Sequence, residues 1–315
     1  MDGPLLALVG PTASGKTDAA VEVAEAIGAE VVSVDSMLIY RGMDVGTAKP
    51  SVRQQRRIRH HLLDLADPAE PFSVQRYQEL AWRTIAAIRQ GGATPLLVGS
   101  GGLYFRAVVD GLEFPTTEPR VRALLEAEAV VVGPSGLHGR LAEADPDAAS
   151  RIEPANVRRS IRALEVMAVT GRPFSSFAAR WRTYPPGAVR VAGIDLPRDL
   201  LHRRIEARVE SMTPGMLAEA AALRERGFGR FLTASKAIGY AETVACLEGR
   251  LGPEEAAART IRRTKALARR QMAWLRRDPR IEWFRAGADG AVGRVADLIA
   301  FLAPVRDATA VAARG

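Results

Sequence analysis

Residues Gly10-Pro11-Thr12-Ala13-Ser14-Gly15-Lys16-Thr17 fit G-x-x-x-x-G-K-[ST], a spacing that brings backbone amides, an ammonium and a hydroxyl together on phosphate. The glycines let the amides turn inward, and the helix that opens near Lys16 offers its positive end to an anion. Lys16 adds a full charge, and Thr17 is the hydroxyl suited to Mg²⁺. The loop is of the nucleotide-binding, ATP type, yet it specifies only that phosphate is bound.

A second set of residues could act on that phosphate. Hydrolases with such a loop carry a metal-organising acid at the end of a central strand, but the run 95–98 ends in Gly99-Ser100-Gly101-Gly102. Asp64 reads either as a substitute for that acid or as a turn residue. Asp35 closes the apolar run 30–34 and suits a metal ligand or a general base. His60-His61 reads as a solvated or packed pair, because adjacent side chains diverge in regular structure and only His138 and His202 remain to assist. Cys246 is the lone cysteine, which excludes an internal disulfide and a cysteine metal site.

The elements that must position these groups are legible as strand, loop and helix. The run 5–9 precedes the loop, and residues 17–27 carry apolar positions at helical spacing. Residues 72–90 predict an amphipathic helix with Ser73 as N-cap, leading into a buried-type strand at 95–98. The expected fold class is α/β: a P-loop NTPase-like parallel sheet core with an inserted helical subdomain and a helical C-terminal region. The alternation stops near residue 112. The expected organisation is a first core part over 1–112, a helical insertion over 113–188 with a hairpin at 133–136, core completion and basic helices over 189–300, and a flexible tail over 301–315.

With 315 residues and 47% hydrophobic content the chain can bury a substantial core. Its apolar runs fall far short of the roughly 20 residues that span a bilayer, and its first residues lack a secretory pattern, so a cytoplasmic protein without membrane contact is expected. Only four of the 44 basic residues are lysine (Lys16, Lys49, Lys236, Lys265), which marks positions where an ammonium is needed. The net charge is +8, and the stretch 259–285 holds ten basic residues against two acids. One segment thus matches the whole excess and points to a polyanionic partner.

Five segments occur in a telling order: GPTASGKT at 10–17, DSMLIYRGMDVGTAKP at 35–50, GSGGLY at 99–104, RALEV at 162–166 and TKALARRQMAW at 264–274. Together they resemble the tRNA dimethylallyltransferase (tRNA isopentenylpyrophosphate transferase) family over residues 4–284. Two positions depart from its pattern. Gly101 stands where the family has Thr or Ser, with a hydroxyl one place earlier at Ser100, and Leu38 stands where Gln is frequent.

The resemblance implies transfer of a dimethylallyl group from dimethylallyl diphosphate to N6 of the adenosine 3′ of the anticodon, with Mg²⁺, by a monomer that binds the tRNA anticodon stem-loop. It implies Asp35, Lys16 and Thr17 as catalytic residues, with Thr17 on the metal. Residues Gly10 to Thr17, Ser100 and Arg208 would bind phosphate. The implied tRNA contacts are Asp35, Ser36, Met37, Leu38 and Gly101; Arg122, Arg158, Arg159, Ser160, Ile161 and Arg162; and Lys236, Arg269, Arg270, Gln271 and Arg276. Trp274 and Trp283-Phe284 read as packing residues rather than base-stacking platforms.

Two alternatives stay open at this point. An adenylate isopentenyltransferase or small-molecule kinase would use the same loop without needing the helical insertion or the +8 stretch. A non-catalytic RNA-binding P-loop protein would leave Asp35 and its flanking motif unexplained.

Overall fold

The computed structural model describes residues 3–228, 231 and 233–303. In chain order the elements are β1 (Leu5–Val9), α1 (Lys16–Ile27), β2 (Ala29–Ser33), α2 (Val52–Arg57), β3 (His60–His61), α3 (Val74–Gln90), β4 (Thr94–Gly99) and α4 (Gly102–Val109). Then follow α5 (Pro119–Ala144), α6 (Pro146–Ala149), α7 (Val157–Thr170), β5 (Val189–Asp195), α8 (Arg198–Glu225), α9 (Tyr240–Leu247), α10 (Pro253–Leu275), β6 (Ile281–Arg285) and α11 (Val295–Leu302).

The six strands form one parallel sheet in the order β3-β2-β4-β1-β5-β6. Both faces are covered, as parallel sheets require. Alternate residues of β1 enter opposite layers: Ala7 and Val9 join the α3, α4 and α9 side, whereas Leu6 and Leu8 pack toward α1 and α11. Each fully buried aliphatic side chain contributes about 1.5–3 kcal/mol. Ser73 caps α3 by accepting from Arg76 N at 3.1 Å, where the spacing predicted an N-cap.

The described residues divide into two compact units, one drawn from Met1–Val109 and Pro185–Gly315 and the other Asp110–Tyr184. The second unit is helical and has its own core, with Leu125, Leu137, Leu141 and Leu164 at its centre. At the hairpin expected over 133–136, Gly133 (φ 71°, ψ 175°) breaks α5 into two helical stretches, and Arg140 of the second pairs with Glu128 of the first, twelve residues earlier. Pro134 opens the second stretch, where its fixed φ and missing N–H suit a first helical position. The tail expected over 301–315 begins inside α11, where Leu302 is buried in the core; residues 304–315 lie outside the described residues. Among the described residues no helix is long and apolar enough to cross a membrane.

Strand order sets the site. β4 lies between β2 and β1, so the segments leaving the C-terminal ends of these three strands stand side by side: the phosphate loop after β1, Asp35 after β2 and Ser100 after β4.

Candidate active site

The loop after β1 is shaped from behind. Ala13 takes a left-handed φ of 62°, an uncommon state for a residue with a side chain, and Gly15 follows at 84° as the cap of α1. Two anchors hold that path: Arg204 Nε donates to Ala13 O at 2.9 Å, and Ala291 N donates to Ser14 O at 2.8 Å. The φ of Gly15 strains any side chain placed there, and a Cβ would also stand tight, 3.2 Å from Ala291 N.

Lys16 is buried within this loop. Its ammonium donates to Pro11 O at 2.6 Å and lies 3.3 Å from Ser14 Oγ. Burial first, and Arg208 second, lower its pKa to about 7, against the opposing effect of Asp35. Arg208 leans over the loop from α8, with Nη1 3.5 Å from Thr12 Oγ1; burial lowers its pKa while Asp35 raises it. Two cations and a carboxylate therefore converge on one loop. An anion placed there would favour the charged form of Lys16.

Asp35 follows β2, and its Oδ1 accepts from Met37 N at 2.9 Å. Ser100 Oγ donates to Asp35 Oδ2 at 3.4 Å. Ser100 is thus the hydroxyl of the second turn. Gly101 sits beneath the main chain, where a Cβ would stand 3.1 Å from Val34 O, tight for any side chain.

These groups line one cavity of about 510 Å³. Its wall includes Thr12 to Thr17, Asp35, Leu38, Ser100 and Arg208, so the phosphate set and the candidate base meet in one space. Gly10 and Pro11 are buried supports behind it. Sequence reasoning missed part of the opposite wall: Thr47 to Ser51, Gln54, His60 and Arg204. Thr47, Lys49 and Pro50 lie in the quoted motif, which was the available signal. Arg204 had none beyond its helical spacing to Arg208.

That wall is fastened by two networks. Glu219 on α8 accepts from three successive amides, Asp44 N (2.7 Å), Val45 N (2.9 Å) and Gly46 N (3.2 Å), and also from the Tyr240 hydroxyl. The buried Lys49 ammonium donates to Tyr40 O at 2.9 Å and pairs with Asp64 at 2.6 Å and with Asp44. Asp64 therefore serves as an anchor for Lys49. His60 enters the cavity wall with its Nδ1 on Ile58 O at 2.8 Å, while His61 Nε2 meets Glu30 at 2.5 Å.

Several expected RNA contacts are engaged elsewhere. Ser160 and Ile161 fall on the apolar side of α7 and are buried in the helical unit, so their side chains do not form a surface. Arg122 and Arg162 clamp the fully buried Glu165 at 2.7 and 2.8 Å, and Arg162 also donates to Pro115 O at 2.5 Å. Burial raises the Glu165 pKa, but the two guanidinium hydrogen bonds outweigh it and hold the carboxyl below its ordinary value. Arg158 and Arg159 are exposed. Ser36 and Met37 are half-buried beside Asp35, and Lys236 is exposed.

The basic stretch is less naked than its sequence. Arg259 and Arg262 pair with Glu255, Arg263 with Glu242, Lys265 with Glu206, Arg276 with Asp195 and Arg280 with Asp278. Arg269 and Arg270 are exposed, and Gln271 turns inward so that its Oε1 accepts from Thr12 N at 2.9 Å. Trp274 packs on the second turn, where a Cβ at Gly102 would stand 2.6 Å from its ring. Trp283 packs on one core layer and Phe284 on the other.

Among the described residues no group of three His, Cys, Asp or Glu could cage a metal. Thr17 lines the cavity beside Lys16, where its hydroxyl could serve as one ligand of a metal ion.

Comparison with known proteins bears on this geometry. The profile of the family described as IPP transferase matches residues 38–278, and that of isopentenyl transferase matches residues 4–68. A tRNA dimethylallyltransferase of Streptomyces coelicolor is 47% identical over 285 residues, covering 90% of each chain. One from a Nocardioides species is 45% identical over 298 residues, covering 94% of this chain and 96% of its own. The crystal structure of a tRNA isopentenylpyrophosphate transferase from Bacillus halodurans superposes with a TM-score of 0.68 at 37% identity, covering 95% of this chain and 96% of that one.

Proposed function

The chain belongs to the IPP transferase family, and from that premise we propose that it transfers a dimethylallyl group from dimethylallyl diphosphate to N6 of the adenosine 3′ of the anticodon in tRNA. The observation that carries the reading is the single cavity shared by Asp35, Lys16, Arg208 and the phosphate loop.

An aromatic exocyclic amine is a weak nucleophile. It must be held in line with the allylic carbon, away from water, and must lose a proton as the bond forms. In the proposed step N6 attacks the allylic carbon, the carbon–oxygen bond to diphosphate breaks, and Asp35 accepts the N6 proton. Ser100 holds Asp35 Oδ2 and the Met37 amide holds Oδ1, which fixes the carboxylate before substrate arrives. Charge grows on the departing diphosphate, where the loop amides, Lys16 and Arg208 can stabilise it. Mg²⁺ bound by Thr17 would supply further charge neutralisation on the diphosphate oxygens.

The acceptor base must leave the stack of the anticodon loop, at a cost of a few kcal/mol or less where it is unpaired. Exposed Arg158, Arg159, Lys236, Arg269 and Arg270 are the cations we assign to RNA phosphates. The protein would act as a monomer in the cytoplasm. The free-nucleotide alternative is not favoured, because relatives matching nine-tenths of the chain are named for tRNA.

The test is incubation with radiolabelled dimethylallyl diphosphate and either tRNA, AMP or no acceptor. Label in tRNA alone is expected. Label in AMP would favour the free-nucleotide reading, and tRNA binding without label would favour a non-catalytic protein.

A further inference from the structure

Gln271 was expected to face RNA, yet its carbonyl is committed to the phosphate loop. The bond from Thr12 N to Gln271 Oε1, 2.9 Å long, joins residues 259 apart in the chain. Thr12 lies in the wall of the phosphate cavity, with Arg208 Nη1 at 3.5 Å from its hydroxyl. The loop's carbonyls at Ala13 and Ser14 are tied from the other side by Arg204 and Ala291. The Thr12 amide is therefore where α10 takes hold of the loop.

The same helix presents Arg269 and Arg270 to solvent immediately before Gln271. It also forms, with Pro11 of the loop, the wall of a second cavity of about 620 Å³ that includes Arg269, Met272 and Arg276. One helix thus touches the loop through a directional hydrogen bond while its neighbouring residues Arg269 and Arg270 carry exposed charge. The Gln271 bond is a direct link between that charged face and the phosphate cradle.

We propose that Gln271 is a positioning residue that couples polyanion binding on the α10 face to diphosphate binding in the loop. The inference rests on the reading of α10 as an RNA-binding helix. RNA that seats the helix strengthens the Gln271 tie, orders Thr12 and tightens diphosphate binding; by linkage, diphosphate tightens RNA binding by the same factor. A single hydrogen bond of ordinary strength corresponds to a factor of about two to ten.

The experiment measures the dissociation constant of inorganic diphosphate with Mg²⁺, in the absence and presence of saturating tRNA transcript, for the wild type, Gln271→Met and Gln271→Glu. Methionine keeps the volume and removes the acceptor; glutamate keeps the acceptor. In the wild type tRNA should tighten diphosphate about threefold or more. That ratio should fall to about one in Gln271→Met and persist in Gln271→Glu, even where the added charge weakens diphosphate overall. A wild-type ratio of one, with both ligands bound, overturns the coupling and leaves the functional reading intact. Loss of tRNA affinity in Gln271→Met with the ratio preserved overturns it too, and makes Gln271 a direct RNA contact. Wild type that binds no diphosphate overturns both readings; where Gln271→Met does not fold, Gln271→Ala, which also removes the acceptor, takes its place, and a ratio preserved in either acceptor-less variant overturns the coupling.

Discussion

The Gly46 main chain lies against the Tyr240 ring, so close that a β-carbon at Gly46 would stand 2.4 Å from Tyr240 Cε2. Glu219 holds both residues, accepting from Gly46 N and from the Tyr240 hydroxyl. The wall of the phosphate cavity at 44–50 is thus pinned to α8 and α9 at one point. Gly46→Ala is expected to destabilise the protein by about 1–3 kcal/mol through overpacking and to impair turnover by displacing Thr47 to Pro50. Urea unfolding checks this. In a Tyr240→Ala background the Gly46→Ala cost should largely vanish, because the two changes share one contact.

Asp35→Ala should lower single-turnover transfer by roughly 10²-fold or more, as expected for a lost general base. Affinity for tRNA and for diphosphate should change little. Transfer at the wild-type rate in this variant would remove Asp35 from the proton-accepting role.

Lys16 provides a pH signature. In the free protein its pKa is lowered to about 7 by burial and Arg208, so near pH 8 it is mostly neutral, and a bound anion restores its charge. Diphosphate binding at pH 8 should therefore take up about one proton more in the wild type than in Lys16→Met. Calorimetry in buffers of different ionisation enthalpy measures the difference. The sign for folding is opposite to that of a paired lysine. Between about pH 7 and the unfolded value of 10.5 the unfolded chain holds more protons, so this group makes stability rise with pH across that window.

Arg162→Ala should destabilise the helical unit by about 1–3 kcal/mol, since it leaves the buried Glu165 short of one of its two charge partners. The Glu165 carboxyl lies below its ordinary value in the folded state, so its contribution is present above the unfolded value of 4.5 and is lost as pH falls through the lower folded value. Thermal melts of the wild type and the variant as a function of pH test both statements.

The ion pairs along α10 separate its arginines into two kinds. Replacing the exposed Arg269 and Arg270 by alanine should flatten the log–log salt dependence of tRNA binding by about one to two units. Replacing Arg262, which pairs with Glu255 at 3.1 Å, should flatten it by less. An equal effect would mean that the internal pairs open on RNA and that the whole stretch acts as one surface.

The loop 10–17, the strand before it and the helix after it were legible in sequence because phosphate binding fixes residue types at fixed local spacing. Asp35 and the segment to Pro50 were legible only through the ordered family resemblance, since Asp35 by itself reads equally as a metal ligand or a base, and alternating buried strands and helices dictated a parallel sheet. What the sequence could not carry was contact between distant segments. The order β2-β4-β1 decides that Ser100 stands beside Asp35, and nothing local to GSGGLY or DSM encodes it. Arg204, Glu219 and Gln271 fasten the site from α8 and α10 through bonds spanning 173 residues or more, and a side chain's partner across such a distance is set only when the elements pack. The +8 of residues 259–285 was a true count of charge along the chain, but six of its ten cations meet acids in the fold. Sequence fixes how much charge a segment bears, whereas packing decides how much of it remains free to meet a partner.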